Sequence, residues 1–61
     1  MNDVERQIVG FIKSNGTVST KETAKYIGLS ITQTKEYLYR LVKANLVESF
    51  GGNRNKTYRL K

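Results

Sequence analysis

Three polar side chains, Thr32, Gln33 and Lys35, follow closely on a glycine-containing bend at residues 28–29. A glutamine amide can form two hydrogen bonds with the edge of adenine, and a lysine ammonium can donate to guanine acceptors in the major groove. If a helix begins just after the bend, its first turns are where such a helix meets base edges. We therefore predict that these three residues contact DNA bases; the alternative is an ordinary solvated helix face.

A second set of side chains is suited to phosphate groups rather than to bases. It combines hydroxyl groups and cations from the same segment with cations from a later glycine-rich loop: Ser30, Tyr39, Arg40, Lys43, Arg54 and Lys56. Contacts of these types to phosphate position a protein on DNA without reading its sequence. We predict backbone contacts for this set. Two of its members have structural alternatives, since Lys43 can favour a helix dipole and Tyr39 can pack against a hairpin.

The positive charge is concentrated in the second half of the chain. Residues 30–61 contain seven lysines and arginines and two glutamates, whereas residues 1–29 contain four basic and three acidic residues, for a net charge of +6. A one-sided basic distribution is typical of domains that bind phosphate backbones. Charge alone is also compatible with an anionic membrane surface or with simple solubility.

The composition argues against several functional classes. The 61 residues include no histidine and no cysteine, so disulfides, metal sites built from imidazole or thiolate, and the usual catalytic bases and nucleophiles are excluded. We therefore expect no enzyme activity and no cofactor. The longest apolar run, residues 8–12, is far shorter than a membrane span, and residues 1–3 do not resemble a secretory signal. We expect one cytoplasmic domain over residues 1–61.

Three helices are predicted to position these side chains. The first runs from about Val4 to Ser14, with Asp3 as its cap and Gly16 as its left-handed stop. Capping boxes at residues 19–22 and 30–33 begin two more helices, which end near residues 27 and 44. We expect the following residues to be in or beside the core: Ala24, Tyr26, Ile27, Ile31, Thr34, Tyr37, Leu38, Leu41 and Val42. The tight bend between the last two helices predicts a helix-turn-helix.

The remainder of the chain is predicted to form a small sheet. Residues 46–50 and 56–60 have the composition of strands, and the glycine- and asparagine-rich residues between them predict a hairpin in which Tyr58 and Leu60 face inward. The short segment 17–19 can add a third strand. This order of elements predicts an α+β winged helix-turn-helix with three helices and a small antiparallel sheet; the alternative is a three-helix bundle carrying a hairpin.

The whole chain resembles the winged-helix regulators. Their third helix is followed by Gly-Leu-Val, a wing and Tyr-x-Leu, and this chain has Asn45-Leu46-Val47 and later Tyr58-Arg59-Leu60. Within that group it resembles the small FaeA-like regulators of fimbrial operons, whose third helix carries residues like Gln33, Lys35, Tyr37 and Leu38. The resemblance implies transcriptional control by a double-stranded DNA-binding protein, in some cases together with a larger DNA-bound regulator.

A second resemblance is to Z-DNA-binding domains, which are also winged helices. Residues 38–41, Leu-Tyr-Arg-Leu, are similar to the third helix of those domains. The chain departs from them at three points: Lys35 replaces an asparagine, Tyr58 replaces a tryptophan, and the chain contains no proline where they have a pair. Because of these three departures, binding of left-handed DNA is an alternative and not the main prediction.

A further alternative belongs to a different functional class. Exposed Phe50 and Tyr39 could form an apolar patch through which the domain docks on a partner regulator. DNA binding that is absent even at low salt would favour this alternative. Since no helix is left over for dimerisation, we expect a monomer or a weak homodimer on DNA.

Overall fold

The computed structural model describes residues 2–52 and 55–61 and contains the predicted succession of helices and strands. The helices are α1 (Asp3–Asn15), α2 (Thr20–Ile27) and α3 (Ile31–Lys43), and the strands are β1 (Thr17–Ser19), β2 (Val47–Phe50) and β3 (Thr57–Leu60). The longest described helices have 13 residues and are too short and too polar to cross a bilayer. The predicted Arg54 contact lies outside the described residues.

Helix α1 begins one residue earlier than predicted. Asn2, not Asp3, is its N-cap: the Asn2 side chain accepts a hydrogen bond from the Glu5 backbone N–H at 2.8 Å, and the Asn2 N–H donates to the Glu5 carboxylate at 3.3 Å. The prediction of Asp3 as cap was therefore wrong. The reason is that Asn2 has a glutamate three residues later, whereas Asp3 has Arg6 there, which cannot complete a capping box.

Helices α2 and α3 begin with the same five-residue arrangement, a capping box followed by a threonine, at residues 19–23 and 30–34. Ser19 and Glu22 form one predicted capping box and Ser30 and Gln33 form the other. In each helix the next residue is a fully buried threonine whose hydroxyl donates to the carbonyl of the capping serine at 2.8 Å. The polar groups of these threonines, at positions 23 and 34, therefore have partners inside the core.

The three strands form one antiparallel sheet in the order β1-β3-β2, which confirms the predicted third strand. Val18 and Ser49 both pair with Tyr58, on opposite sides of the central strand. Because successive side chains in a strand alternate between faces, Tyr58 faces the helices while Arg59 faces away from them. Tyr58 is buried and Leu60 half-buried, as predicted.

The core lies between the inner face of the sheet and the three helices. Its buried hydrophobic cluster comes from α1, α3 and all three strands: Ile8, Ile12, Val18, Leu38, Leu41, Val47 and Tyr58. The predicted half-buried residues Ile27, Tyr37 and Val42 pack against this cluster. Helix α3 is thus held through one face only, which leaves its opposite face in solvent.

Two residues predicted to lie in or beside the core are exposed. Tyr26 is 59% exposed because α2 is buried through Thr23 and Ala24; its ring stacks on Phe11 of α1, with ring centroids 4.3 Å apart. Ile31 is 43% exposed because it is the first residue of α3, beyond the reach of the core. Both predictions were wrong because a helical pattern does not fix which neighbours cover each face.

The arrangement is a winged helix, as predicted. Gly16 and Gly28 end α1 and α2 with positive φ angles of 84° and 73°, and Asn45 takes the left-handed position after α3 with a φ of 67°. Asparagine tolerates this conformation better than most residues. The Asn45 side chain also accepts a hydrogen bond from the ammonium of Lys61.

Candidate nucleic-acid interface

The bend between α2 and α3 sets the direction of α3. The backbone N–H groups of Gly28 and Leu29 both donate to the carbonyl of Ala24, at 2.9 and 3.2 Å, so α2 ends within one tight turn. Leu29 alone separates Gly28 from Ser30, the cap of α3. The two helices are therefore joined with little freedom, which is the arrangement of a helix-turn-helix.

The first turn of α3 presents its polar side chains to solvent. Thr32, Gln33 and Lys35 are all exposed, whereas Thr34 between them is completely buried. Glu36 is exposed on the same helix and adds a carboxylate that the sequence-based set did not include. The helix therefore offers hydroxyl, amide, ammonium and carboxylate groups near its amino end, all of which can bond to base edges.

Gln33 is exposed and also belongs to the capping box that begins α3. Its side-chain oxygen accepts hydrogen bonds from the Ser30 backbone N–H at 3.4 Å and from the Ser30 hydroxyl at 3.2 Å. The Ser30 hydroxyl oxygen in turn accepts from the Gln33 backbone N–H at 3.1 Å. In this geometry the Gln33 oxygen is engaged in the cap, and the amide NH₂ group is the part of this exposed side chain that is left to donate to a ligand.

An open groove separates α3 from the hairpin, and three elements line it. Helix α3 contributes Ile31, Lys35, Tyr39 and Val42, and the start of α2 contributes residues 19–21. The hairpin contributes Ser49 and residues 55–58. The lining thus combines apolar side chains of α3 and uncharged polar residues with lysines at positions 21, 35 and 56, and its described members include no carboxylate.

Farther along α3, two cations lie over aromatic rings. The Arg40 guanidinium is 5.4 Å from the centroid of the half-buried Tyr37 ring, and the Lys43 ammonium is 5.4 Å from that of Tyr39. Tyr39 itself is 62% exposed. These contacts, made one turn apart on the helix, hold both cations along the solvent face of α3.

The structure brings some of the predicted residues together and separates others. Lys35, Tyr39 and Lys56 line one groove, and Ser30, Thr32 and Gln33 surround the amino end of α3. Arg40 and Lys43 are exposed on α3 but do not line the groove as described. Phe50 is 41% exposed, but it lies under the Arg59 guanidinium at 4.3 Å and does not join Tyr39 in the described groove lining.

Lys21 is the one cation among the described groove residues that the sequence analysis did not predict. It lies in the first turn of α2, and its position beside the hairpin depends on the pairing of β1 with β3, since β1 leads directly into α2. The only signal available in the sequence was a lysine in a first turn, where a cation opposes the helix dipole.

Comparisons with known proteins agree with this architecture. A family model described as FaeA-like protein matches residues 4–54. No curated protein sequence matches the chain significantly. Among solved structures, the Zalpha domain of PKZ from Carassius auratus, determined in complex with Z-DNA, matches with a TM-score of 0.87 and 29% identity, over 95% of this chain and 92% of that one.

Larger regulators contain the same fold as one part of their length. The reduced form of MarR from E. coli matches with a TM-score of 0.91 and 19% identity, over 100% of this chain and 47% of that one. A MarR family transcriptional regulator from Silicibacter pomeroyi matches with a TM-score of 0.88 and 14% identity, over 97% of this chain and 42% of that one. The chain therefore spans less than half of these regulators and shares their winged-helix fold.

Proposed function

The chain belongs to the FaeA-like protein family, and we propose that it is a transcriptional regulator that binds duplex DNA through α3 and the β2–β3 hairpin. The observation that carries the proposal is the exposed amino end of α3 beside a groove lined by three lysines, with no acidic residue among its described members. A helix end of this kind fits the major groove, and the cations beside it match the phosphate rows that border that groove.

The residues divide between two roles in this proposal. Thr32 and Gln33 contact base edges, where the NH₂ group of Gln33 can donate to a purine or pyrimidine acceptor without leaving its capping box. Backbone contacts come from the predicted set of hydroxyl and cationic side chains, namely Ser30, Tyr39, Arg40, Lys43, Arg54 and Lys56. Lys35 was predicted to contact a base; because it lines the groove together with two other lysines, a phosphate contact is an alternative role for it.

Selection of binding sites from random duplexes, followed by gel shifts at about 50 and 200 mM salt, tests the proposal directly. We expect a recurring sequence among the selected duplexes and an affinity that falls steeply with salt, since released counterions dominate such binding. Absence of binding to any duplex at the lower salt concentration would contradict the proposal. That outcome would favour the alternative in which the domain docks on a partner protein.

Left-handed DNA is a second candidate target, favoured by one observation. The Zalpha domain that matches this chain was determined in complex with Z-DNA, and Tyr39 stands exposed in the groove within the similar Leu-Tyr-Arg-Leu segment. Tyr58, which replaces the tryptophan of those domains, is only 6% exposed and offers little ring surface to a ligand. Circular dichroism of an alternating d(CG) duplex separates the candidates, because only a Z-DNA binder inverts its spectrum as protein is added.

A further inference from the structure

The groove between α3 and the hairpin is lined by three lysines that have no evident role in stabilising the fold. Lys21, Lys35 and Lys56 come from three separate elements and line the same concave surface. The acid nearest to Lys21 in sequence, Glu22, is engaged in the capping box of α2, where its carboxylate accepts a hydrogen bond from the Ser19 backbone N–H at 3.0 Å, and it does not line the groove as described. Like charges on one surface repel one another, and no carboxylate is among the described lining residues, so an anion bound in the groove would relieve that repulsion.

Lys21 contributes nothing evident to the stability of α2. It is exposed, and it lies in the first turn, where the helix dipole disfavours a cation. Lys25, one turn later on the same helix, is also exposed, is placed favourably for the dipole and does not line the groove as described. Lys25 therefore serves as a matched control for Lys21, because the two lysines lie on the same helix and only Lys21 lines the described groove.

The α3 side of the groove is largely apolar, and this property narrows the choice of anion. Ile31 is 43% exposed and Val42 is half-buried, and Tyr39 lies between them on the same helix face. A linear polyanion whose charged groups alternate with apolar faces fits a groove that is lined by both lysines and apolar side chains. The sugar–phosphate backbone of DNA has this alternation, because deoxyribose rings separate its phosphates.

We infer that one strand of a DNA duplex lies along this groove, with neighbouring phosphates of that strand bound by Lys21, Lys35 and Lys56. The inference rests on the proposed function and extends it by assigning Lys21 to the interface. It also assigns Lys35 to a phosphate, in place of the base contact expected from the sequence. In this arrangement α3 and the hairpin lie on either side of the same strand, and Thr32 and Gln33 remain the base contacts.

The salt dependence of DNA binding tests the role of Lys21 on any duplex. The slope of log affinity against log salt is about −0.9 for each phosphate neutralised. Loss of one contact therefore makes the fall in affinity between 50 and 200 mM salt about 3.5-fold smaller. We expect this reduction for Lys21→Ala and no change for Lys25→Ala. Alanine favours both helix positions, so both variants should fold, which circular dichroism checks. An unchanged salt dependence for Lys21→Ala would overturn the inference.

Single neutral methylphosphonates, placed in turn along both strands of the selected duplex, test the one-strand arrangement. Neutralising a phosphate that Lys21 binds should lower the DNA affinity of the wild-type protein but not that of Lys21→Ala. Phosphates bound by Lys35 and Lys56 should likewise lose their effect in Lys35→Ala and Lys56→Ala, respectively. We expect the three phosphates whose effect is lost in these three variants to be neighbours on one strand. If those three phosphates are divided between two strands, the inference is overturned while the proposed function stays intact. If the wild-type protein binds no duplex, the proposed function itself fails.

Discussion

Gln33 and Ser30 form a reciprocal pair at the point where α3 begins, with the Gln33 side-chain oxygen 3.2 Å from the Ser30 hydroxyl and 3.4 Å from its backbone nitrogen. The side chain best suited to read a base therefore also begins the helix that carries it. Bidentate contact with adenine would require both the oxygen and the NH₂ group, and so would require Gln33 to leave the cap. Contact through the NH₂ group alone preserves the cap.

Two substitutions at Gln33 separate its structural role from its proposed role in binding. Gln33→Glu retains a capping-box acceptor and places a negative charge near the helix amino end, so the melting temperature should stay the same or rise slightly. The same variant should bind every duplex more weakly, because it lacks the amide donor and repels phosphate. Gln33→Ala should lower the free energy of unfolding by less than about 1 kcal/mol and change the ranking of duplexes.

Thermal unfolding and titrations of the selected duplex with single base changes measure these effects. Binding should be measured well below the melting temperature, so that loss of the cap does not enter the result. Equal losses on every duplex for Gln33→Ala would contradict a base-reading role.

Local signals in the sequence were sufficient for most of the fold. Each of the two serine capping boxes combines a hydroxyl with a glutamate or glutamine three residues later, and the structure has both. The glycines after α1 and α2 and the asparagine after α3 have the positive φ angles expected of residues that end helices. These features depend on residues that are adjacent in the chain. The same rule would have identified Asn2, since Glu5 follows it at the capping-box spacing.

The buried threonines after the two capping boxes should each stabilise the helix-turn-helix. The hydroxyls of Thr23 and Thr34 donate to serine carbonyls at 2.8 Å, and both side chains are completely buried. Thr23→Val or Thr34→Val keeps the shape but removes the hydrogen bond, so each should lower the free energy of unfolding by about 0.5–1.5 kcal/mol.

Urea unfolding of each valine variant beside the corresponding alanine variant tests this prediction. Alanine should cost more than valine at both positions, because it also leaves a cavity in the core. Valine variants as stable as the wild type would mean that the hydroxyl groups contribute nothing to stability.

The interface was less predictable than the fold because it depends on contacts between distant segments. Lys21 reaches the groove only because β1 pairs with β3, a contact between residues about 40 positions apart. Tyr26 is an aromatic residue of the kind expected in a core, yet its ring stacks on Phe11 at the protein surface. The reason is that Thr23 and Ala24 already fill the inner face of α2. Helical spacing identifies a face, but only packing decides what covers that face.

Removal of one positive charge should affect binding according to its place in the fold. Lys56 lines the groove, whereas Arg59 lies on the opposite face of the sheet, 3.4 Å from the Glu48 carboxylate and 4.3 Å from the Phe50 ring centroid. Lys56→Ala should therefore weaken binding to all duplexes alike and reduce the slope of log affinity against log salt by about one. Arg59→Ala removes the same formal charge and should change that slope much less.

Fluorescence titrations at several salt concentrations compare the two variants. Equal slopes for Lys56→Ala and Arg59→Ala would indicate that binding responds to net charge alone and not to the groove. An unfolding curve for Arg59→Ala provides the control, since an exposed ion pair contributes at most about 1 kcal/mol to stability.

Two adjacent glycines at the end of β2 should respond differently to alanine. Gly51 has a φ of +91°, and a Cβ atom there would lie 2.6 Å from the backbone carbonyl oxygen of Asn55. A Cβ at Gly52 would meet nothing within 4 Å, and its φ is not positive. Gly51→Ala should lower the free energy of unfolding by about 1–3 kcal/mol, because strained backbone and a close contact act together. Gly52→Ala should be neutral or slightly stabilising.

The consequence for binding follows from the residues that Gly51 positions. Gly51 lies against the backbone of Asn55 and Lys56, and both of these residues line the groove. Displacement of Asn55 should therefore move Lys56 and weaken binding to every duplex, while Gly52→Ala binds as the wild type does. Chemical denaturation and DNA titration of the two variants measure both effects. If Gly51→Ala lost stability but bound DNA with wild-type affinity and salt dependence, the position of the hairpin would not matter for binding, and the role assigned to Lys56 would have to be abandoned.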